Sequence, residues 1–371
     1  MNIVQLVPAM EQGGVERGVV EMNRELVKAG HSNTVISAGG RLASRIEADG
    51  GRHITFDVKS KNPFTFFSRA RALGKILGCV RPDVTVAHSR VPAWLFLRAN
   101  RKLDLRWITF AHGANSVSRY SRIMTAGDLV VTPSRYIADY LRAAYGTRED
   151  VIRVIPRAID REKFDPSRLD GGFMAAKRRE WGLDGCKVVM GLGRITQLKG
   201  YDTLIKATAA VRRRIPCVKT VIVGEAEELR RDVERSLRTL VAELGLSDVV
   251  VFAGNQQKVA ECLSLADVVV SANTRKPEAF GRSMAEALAM NRPVVATAFG
   301  GALDIVEDGV NGFLVPLAFA GADGFASAVC RALEHGFGDV RSPALEKFSF
   351  DRMVERSLAV YDEAAAMRGR P

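Results

Sequence analysis

Short apolar runs rich in β-branched residues recur along the chain, each followed by a turn and a helix-prone stretch. A strand buried on both faces reads as a continuous apolar run, and a parallel neighbour can be reached only through a crossover, usually a helix. The pattern therefore predicts parallel sheets covered by helices. A first series of strands is expected at 3–7, 34–37, 84–88, 107–111 and 129–132. A second is expected at 187–192, 220–223, 249–252, 268–271 and 293–296. The helix at 15–29 has Gly30 as its stop signal, and 350–367 reads as a final amphipathic helix. Between the series, Asp165 to Gly185 carries Asp-Pro, Gly-Gly and a charged run, as a linker would. With 371 residues there is length for two cores. The expected fold class is α/β, two doubly wound Rossmann-like domains facing a central cleft, with ligands at the carboxyl ends of the strands. The N-terminal domain is expected over 1–167, completed by the helix in 349–371, and the C-terminal domain over 168–348. No repeat is detectable at the sequence level.

Composition narrows the function classes. The chain is 47% hydrophobic and 26% charged, as in a soluble globular protein, and no apolar run approaches the roughly 20 residues of a membrane span. MNIVQLVP reads as a buried first strand rather than a leader, so a cytoplasmic location is expected. The five cysteines, Cys79, Cys186, Cys217, Cys262 and Cys330, are scattered without a CxxC or a Cys/His cluster. They are expected to be reduced core residues, with neither a disulfide framework nor a structural zinc site. The net charge of +12 is uneven: residues 1–165 hold 26 Lys and Arg against 16 Asp and Glu, leaving 28 against 26 for the rest. Within the basic half, KSKNPFTFFSRARALGKIL interleaves Lys59, Lys61, Arg69, Arg71 and Lys75 with Phe64, Phe66 and Phe67. It reads either as a solvated helix face with a few core aromatics or as an edge that lies on an anionic membrane. No nucleic-acid module is recognisable, so nucleic acid is not an expected partner.

The chemistry-bearing motifs fall at strand ends. In KPEAFGRSMAEALAMNRPVVAT, Glu278 follows Pro277 and reads as loop, while Glu286 lies inside a helix expected at 283–290 and ended by Pro293. Between them Phe280, Gly281, Arg282 and Ser283 offer backbone N–H groups at a helix N-terminus, a seat for an anion. The helical rise puts 278 and 286 at most about 12 Å apart, roughly the reach from a sugar ring to the ribose of a sugar nucleotide. Arg194 and Lys199 lie in GLGRITQLKG after the first strand of the second series, and read as phosphate-gripping cations or as ordinary surface charges. Gly13 and Gly14 follow the first strand of the chain. They read as a phosphate loop or a tight turn; without GxGxxG and an acid at the end of the second strand, they argue against a nicotinamide enzyme. His112, at the end of the strand at 107–111, reads as structural or as a partner for a sugar hydroxyl; His88 has the weaker case, and His31, His53 and His335 read as surface. With no Asp-x-Asp, no bound metal is expected, and none is expected as a cofactor.

In their order along the chain, GGVER, the strand-end His112, TPSRYIADYL, GRITQLKG, ADVVVSAN, EAFGRSMAE and GGALDIVEDGVNGFLVP resemble the retaining GT-B glycosyltransferases of family 4. The signature of that family is the Glu-x7-Glu element, here Glu278 to Glu286. The resemblance covers nearly the whole chain. It implies that Glu286 holds the ribose and Glu278 the donor sugar, and that Arg194 and Lys199 grip the pyrophosphate. The amides of Phe280 and Gly281, beside Arg282, complete the phosphate site with Gly13 and Gly14, and His112 approaches the sugar. It further implies that a nucleotide sugar is the donor and that transfer is metal-independent, with retention by same-face attack. The expected acceptor is an envelope glycan or lipid-linked molecule, with the lipopolysaccharide core as the first choice, at the inner face of the plasma membrane. The alternative is a catalytically silent sugar-nucleotide binder or partner subunit of the same fold. Two positions depart from the family pattern: Arg157-Ala158 where Asn-Gly is common, and Gly224-Glu225-Ala226 where Gly-x-Gly is usual.

Overall fold

The computed structural model describes residues 1–11 and 13–367. The chain divides into two compact units, Met1–Arg157 with the C-terminal segment from Phe350, and Ala158–Ser349. In the first, β1 (Asn2–Leu6), β2 (Ser32–Ser37), β3 (Arg52–Thr55), β4 (Val84–Ala87), β5 (Trp107–Phe110), β6 (Leu129–Thr132) and β7 (Ile152–Val154) form one sheet in the order β3-β2-β1-β4-β5-β6-β7. In the second, β8 (Lys187–Leu192), β9 (Val218–Val223), β10 (Val250–Gly254), β11 (Val268–Ser271), β12 (Val294–Thr297) and β13 (Gly312–Val315) form another in the order β10-β9-β8-β11-β12-β13. Every paired neighbour in both sheets is parallel. Each is thus a doubly wound Rossmann-like sheet whose strand order reverses once, between β1 and β4 or between β8 and β11.

The apolar runs explain the layering. Successive strand residues point to opposite faces, and in the second unit the two faces bury separate clusters. Val188, Met190, Val269, Val294 and Ala296 enter one; Val189, Val268, Val270 and Val295 enter the other. In the first unit, Ile3, Val84, Val86, Ile108, Leu129 and Val131 pack with Met22 and Leu26 of the helix Gly14–Lys28. Val360, Tyr361 and Ala364 of the helix Phe350–Ala366 complete that core.

Three strands absent from the sequence expectation, β3, β7 and β13, are all at sheet edges. Strands β3 and β7 contain no fully buried residue, so they lack the continuous apolar run that marks an interior strand. The stretch expected as a linker folds into the second unit: Asp170 caps the helix Gly171–Glu180 through a 2.9 Å bond from the Phe173 N–H, and Phe173 and Met174 pack on the core. The cysteine expectation is corrected as well. Cys186 and Cys217, immediately before the paired strands β8 and β9, form a disulfide with Cα atoms 4.7 Å apart. Cys79 is exposed, and Cys262 and Cys330 are buried thiols. The sequence alone did not reveal the pairing because the two cysteines are 31 residues apart and only parallel pairing makes them neighbours.

Gly200 fixes the start of the helix Tyr201–Arg214 with a left-handed φ of 67°, and a Cβ there would fall on the Ala272 carbonyl. Gly200→Ala combines left-handed strain with a clash against backbone and is expected to cost about 2 kcal/mol or more. Thermal unfolding should show Tm lowered by roughly 4–8 °C; an unchanged Tm would contradict this account of the turn.

Candidate functional site

In the second unit the loops leaving β8 and β11 meet. Lys199 Nζ donates to Glu278 Oε1 over 2.5 Å, and Asn273 Nδ2 donates to the same oxygen over 3.1 Å. Asn273 is in turn held by Ser271 Oγ, which donates to its Oδ1 over 3.2 Å. Glu278 is in a loop, its backbone bridged to Gly300, and its carbonyl accepts from the Gly301 N–H at 2.8 Å. A Cβ at Gly300 would collide with that same carbonyl, so only glycine lets the two loops close. The carboxylate is thereby fixed from both sides while about a quarter of its side chain remains exposed.

The helix beyond it spans Arg282–Ala289, and Gly281 at its N-cap has a φ of 103°. The Met284 and Ala285 N–H groups donate to the Gly281 carbonyl, so an anion seat falls to the amides ahead of Met284, where the macrodipole favours it. Glu286 lies one turn inside, with Arg282 Nε 3.3 Å from its Oε1. The ring of Phe280 is buried edge-on against Phe348, which leaves its backbone, rather than its side chain, for a ligand. The loop after β8 is pinned by Tyr201, whose hydroxyl donates to the Gly193 carbonyl at 2.8 Å; burial, aided by Glu278, raises the pKa of that phenol well above its ordinary value. Arg194 projects outward, 74% of its side chain exposed, and pairs with Glu227 of the loop that follows β9. That loop, Gly224-Glu225-Ala226, is tied to the first by bonds from Gly193 N–H to the Val223 carbonyl and from Ile195 N–H to the Glu225 carbonyl, each 2.9 Å.

In the first unit, Gly13 is the extended N-cap of the helix Gly14–Lys28, and the Glu16 carboxylate lies against it. His112 follows β5, and both of its ring nitrogens are engaged: Nε2 is 2.9 Å from His88 Nδ1 and Nδ1 is 3.0 Å from Arg157 Nη2. Phe110 stacks on the His112 ring with centroids 4.1 Å apart. Burial, then the Arg157 charge, pushes the His88 pKa down to about 3. The same causes, with His88 added, hold His112 well below the usual imidazole range.

The structure thus joins Lys199 to Glu278 and Arg282 to Glu286 in one unit, while Gly13, Gly14 and His112 belong to the other. Asn273 and Ser271 are not among the residues expected from the sequence, although ADVVVSAN places Ser271 at the end of β11 and Asn273 just after it. Among the described residues, no group of three or more His, Cys, Asp or Glu is placed to hold a metal ion.

The basic stretch of the first unit divides by exposure. Lys59, Lys61, Arg71 and Lys75 are exposed, as are Phe64 and Phe67. Arg69 instead turns inward and donates to the carbonyls of Asp57, Ser60 and Asn62. It braces the loop ahead of the helix Phe66–Val80 and is not part of a basic face. Beside it a groove of about 1060 Å³ is lined by Arg71, Lys75, Arg98, Arg101 and Lys102. No helix among the described residues is long and apolar enough to cross a membrane.

Comparison with known proteins agrees with this architecture. Residues 12–163 match the family described as Glycosyltransferase Family 4, and residues 186–335 match Glycosyl transferases group 1. A D-inositol 3-phosphate glycosyltransferase of Acidothermus cellulolyticus is 34% identical over 260 residues, 66% of this chain and 55% of the relative. The chain spans about half the length of the curated relatives it matches. A glycosyltransferase from Rickettsia africae superimposes with a TM-score of 0.88 at 27% identity, covering 99% of each chain. HepE of Anabaena, solved with UDP, shares the fold with a TM-score of 0.83 at 20% identity over 98% of this chain and all of that one. The chain has the GT-B fold of the group 1 and family 4 glycosyltransferases.

Proposed function

We propose that the chain is a retaining glycosyltransferase that takes a sugar from a nucleoside diphosphate and passes it, without a metal ion, to an anionic acceptor. The carrying observation is the cluster at the ends of β8 and β11: Lys199 and Asn273 orient the Glu278 carboxylate, and an anion-favouring helix N-terminus separates it from Glu286. Two carboxylates suit the two polyol ends of a sugar nucleotide. The cations and amides between them suit its diphosphate. In this reading Glu286 accepts from the ribose hydroxyls and Glu278 from those of the sugar. Lys199, Arg194 and the amides of Phe280 and Gly281 stabilise the departing diphosphate. The diphosphate competes with Glu227 for Arg194, and an ion pair this exposed is worth little, so the exchange is easy. With no enzymic nucleophile assigned, the leaving phosphate takes the acceptor proton and attack comes from the same face.

The acceptor belongs to the first unit in this proposal, where the excess positive charge lies. The inositol relative is named for a phosphorylated polyol, and a lipopolysaccharide core or other lipid-linked glycan also carries anionic groups. An anionic acceptor is therefore the shared class. The exposed Lys59, Lys61, Arg71 and Lys75 with Phe64 and Phe67 support a peripheral position on the cytoplasmic face of an anionic membrane.

Thermal stabilisation by UDP, GDP and ADP and their common sugars tests the donor site. One nucleotide series should raise Tm, and Glu286→Ala should weaken that binding about tenfold or more through lost charge-assisted hydrogen bonds; equal affinity in the variant would remove Glu286 from the site. Lys199→Ala is expected to lower kcat about a hundredfold, whereas the exposed Arg194→Ala should lower it about tenfold; the reverse order would reassign the leaving-group contact. Replacing Lys59, Lys61, Arg71 and Lys75 with Ser should reduce sedimentation with phosphatidylglycerol vesicles while sparing donor hydrolysis, and full vesicle binding would reject the membrane edge. Arg69 is left in place in that variant because it braces its loop.

A further inference from the structure

The hydrogen bonds around His112 run in one direction. Arg157 Nη2 is 3.0 Å from His112 Nδ1, and a guanidinium only donates, so Nδ1 accepts. From the other end, Gln5 Oε1 is 2.9 Å from His88 Nε2, and a carbonyl oxygen only accepts, so that nitrogen carries the proton. Gln5 is itself oriented: its Nε2 donates to Asn33 Oδ1 at 3.1 Å, Asn33 Nδ2 to Asn23 Oδ1 at 2.8 Å, and Asn23 Nδ2 to the Ile46 carbonyl at 3.1 Å. Gln5, Asn23 and Asn33 are buried, where amides left unsatisfied are costly, so each is held to its assigned direction. The 2.9 Å contact between His112 Nε2 and His88 Nδ1 satisfies both constraints, with Nε2–H donating to Nδ1. Each ring carries one proton, on Nε2. A second proton on His112 would face the Arg157 N–H, and one on His88 would face the His112 N–H.

We propose that Arg157 is a positioning residue that holds His112 and His88 as neutral Nε2–H rings, so that the guanidinium alone supplies the cation at this corner. Both imidazole rings lie within 21° of the Phe110 plane, which restricts their rotation. The helix Gly14–Lys28 makes room for the arginine at Gly18, where an added Cβ would fall on Nη1. A ligand that reaches His112 meets a fixed, uncharged ring beside a permanent cation. That arrangement favours an anionic group next to a sugar and gives the Arg-Ala departure from the family pattern a physical role. The effect on turnover rests on the donor reading above; the proton positions do not.

The test uses the full chain with 15N-labelled histidine, assigned through His88→Gln and His112→Gln, and reads the ring nitrogens by NMR at neutral pH. Both rings are expected as neutral Nε2–H tautomers. Arg157→Met removes the donor, and Gly18→Ala displaces the guanidinium while keeping its charge, in a helix where Ala is the better former. Both variants should replace the single tautomer of His112 with a mixture. For whichever nucleotide sugar is turned over, both should also lower kcat about tenfold while leaving nucleotide diphosphate affinity unchanged. An imidazolium or Nδ1–H ring in the wild type, or a tautomer pattern that survives Arg157→Met, overturns the proposal. So does an unchanged kcat in Arg157→Met. If the wild type turns over no donor, the donor reading fails and the ring nitrogens alone decide the role of Arg157.

Discussion

Residues Val268, Val269 and Val270 of β11 pair in parallel with Val189, Met190 and Gly191 of β8, and the candidate donor site depends on that pairing. Because every neighbour in the sheet is parallel, all loops leaving the C-terminal ends of strands gather along one edge, and the reversal of strand order between β8 and β11 opens a gap there. Lys199 reaches Glu278 across this gap although 79 residues separate them. The glycines at 200, 281 and 300 let backbones approach where side chains would collide or strain. Valines buried on both faces of the sheet therefore determine where a lysine and a glutamate meet.

The first unit uses the same device to a different end. Its order reverses between β1 and β4, and a polar relay runs there from the part-buried Arg157 and His112 through His88 into the buried Gln5, Asn33 and Asn23. Burying polar groups costs free energy unless each is matched, and each side chain in this relay is hydrogen-bonded to the next. The second unit instead presents half-exposed charges that can exchange partners. One site is rigid and neutral around its imidazoles; the other is charged and open to an anion.

The alternation of apolar runs and helices was enough to read both sheets in outline, because interior parallel strands carry an unmistakable continuous apolar pattern. The edge strands β3 and β7 were lost because half-exposed strands do not carry it. Glu278 in a loop and Glu286 in a helix followed from Pro277 and the helix-prone run after it. What local sequence could not supply was partnership. That Lys199 would touch Glu278, that Arg157 would donate to His112 and that Cys186 would meet Cys217 all depend on which strands become neighbours. His112 drew notice as a lone strand-end histidine, yet its ring nitrogens are occupied by residues 24 and 45 positions away.

The central claim is that the strand ends of the second unit bind a nucleoside diphosphate. Hydrogen–deuterium exchange of the full chain, with and without saturating UDP and with GDP and ADP in parallel, reads it most directly. One nucleotide should slow amide exchange in residues 193–200 and 278–286 and leave the core strands unaffected. Protection confined to other segments, or none with any nucleotide, would contradict it.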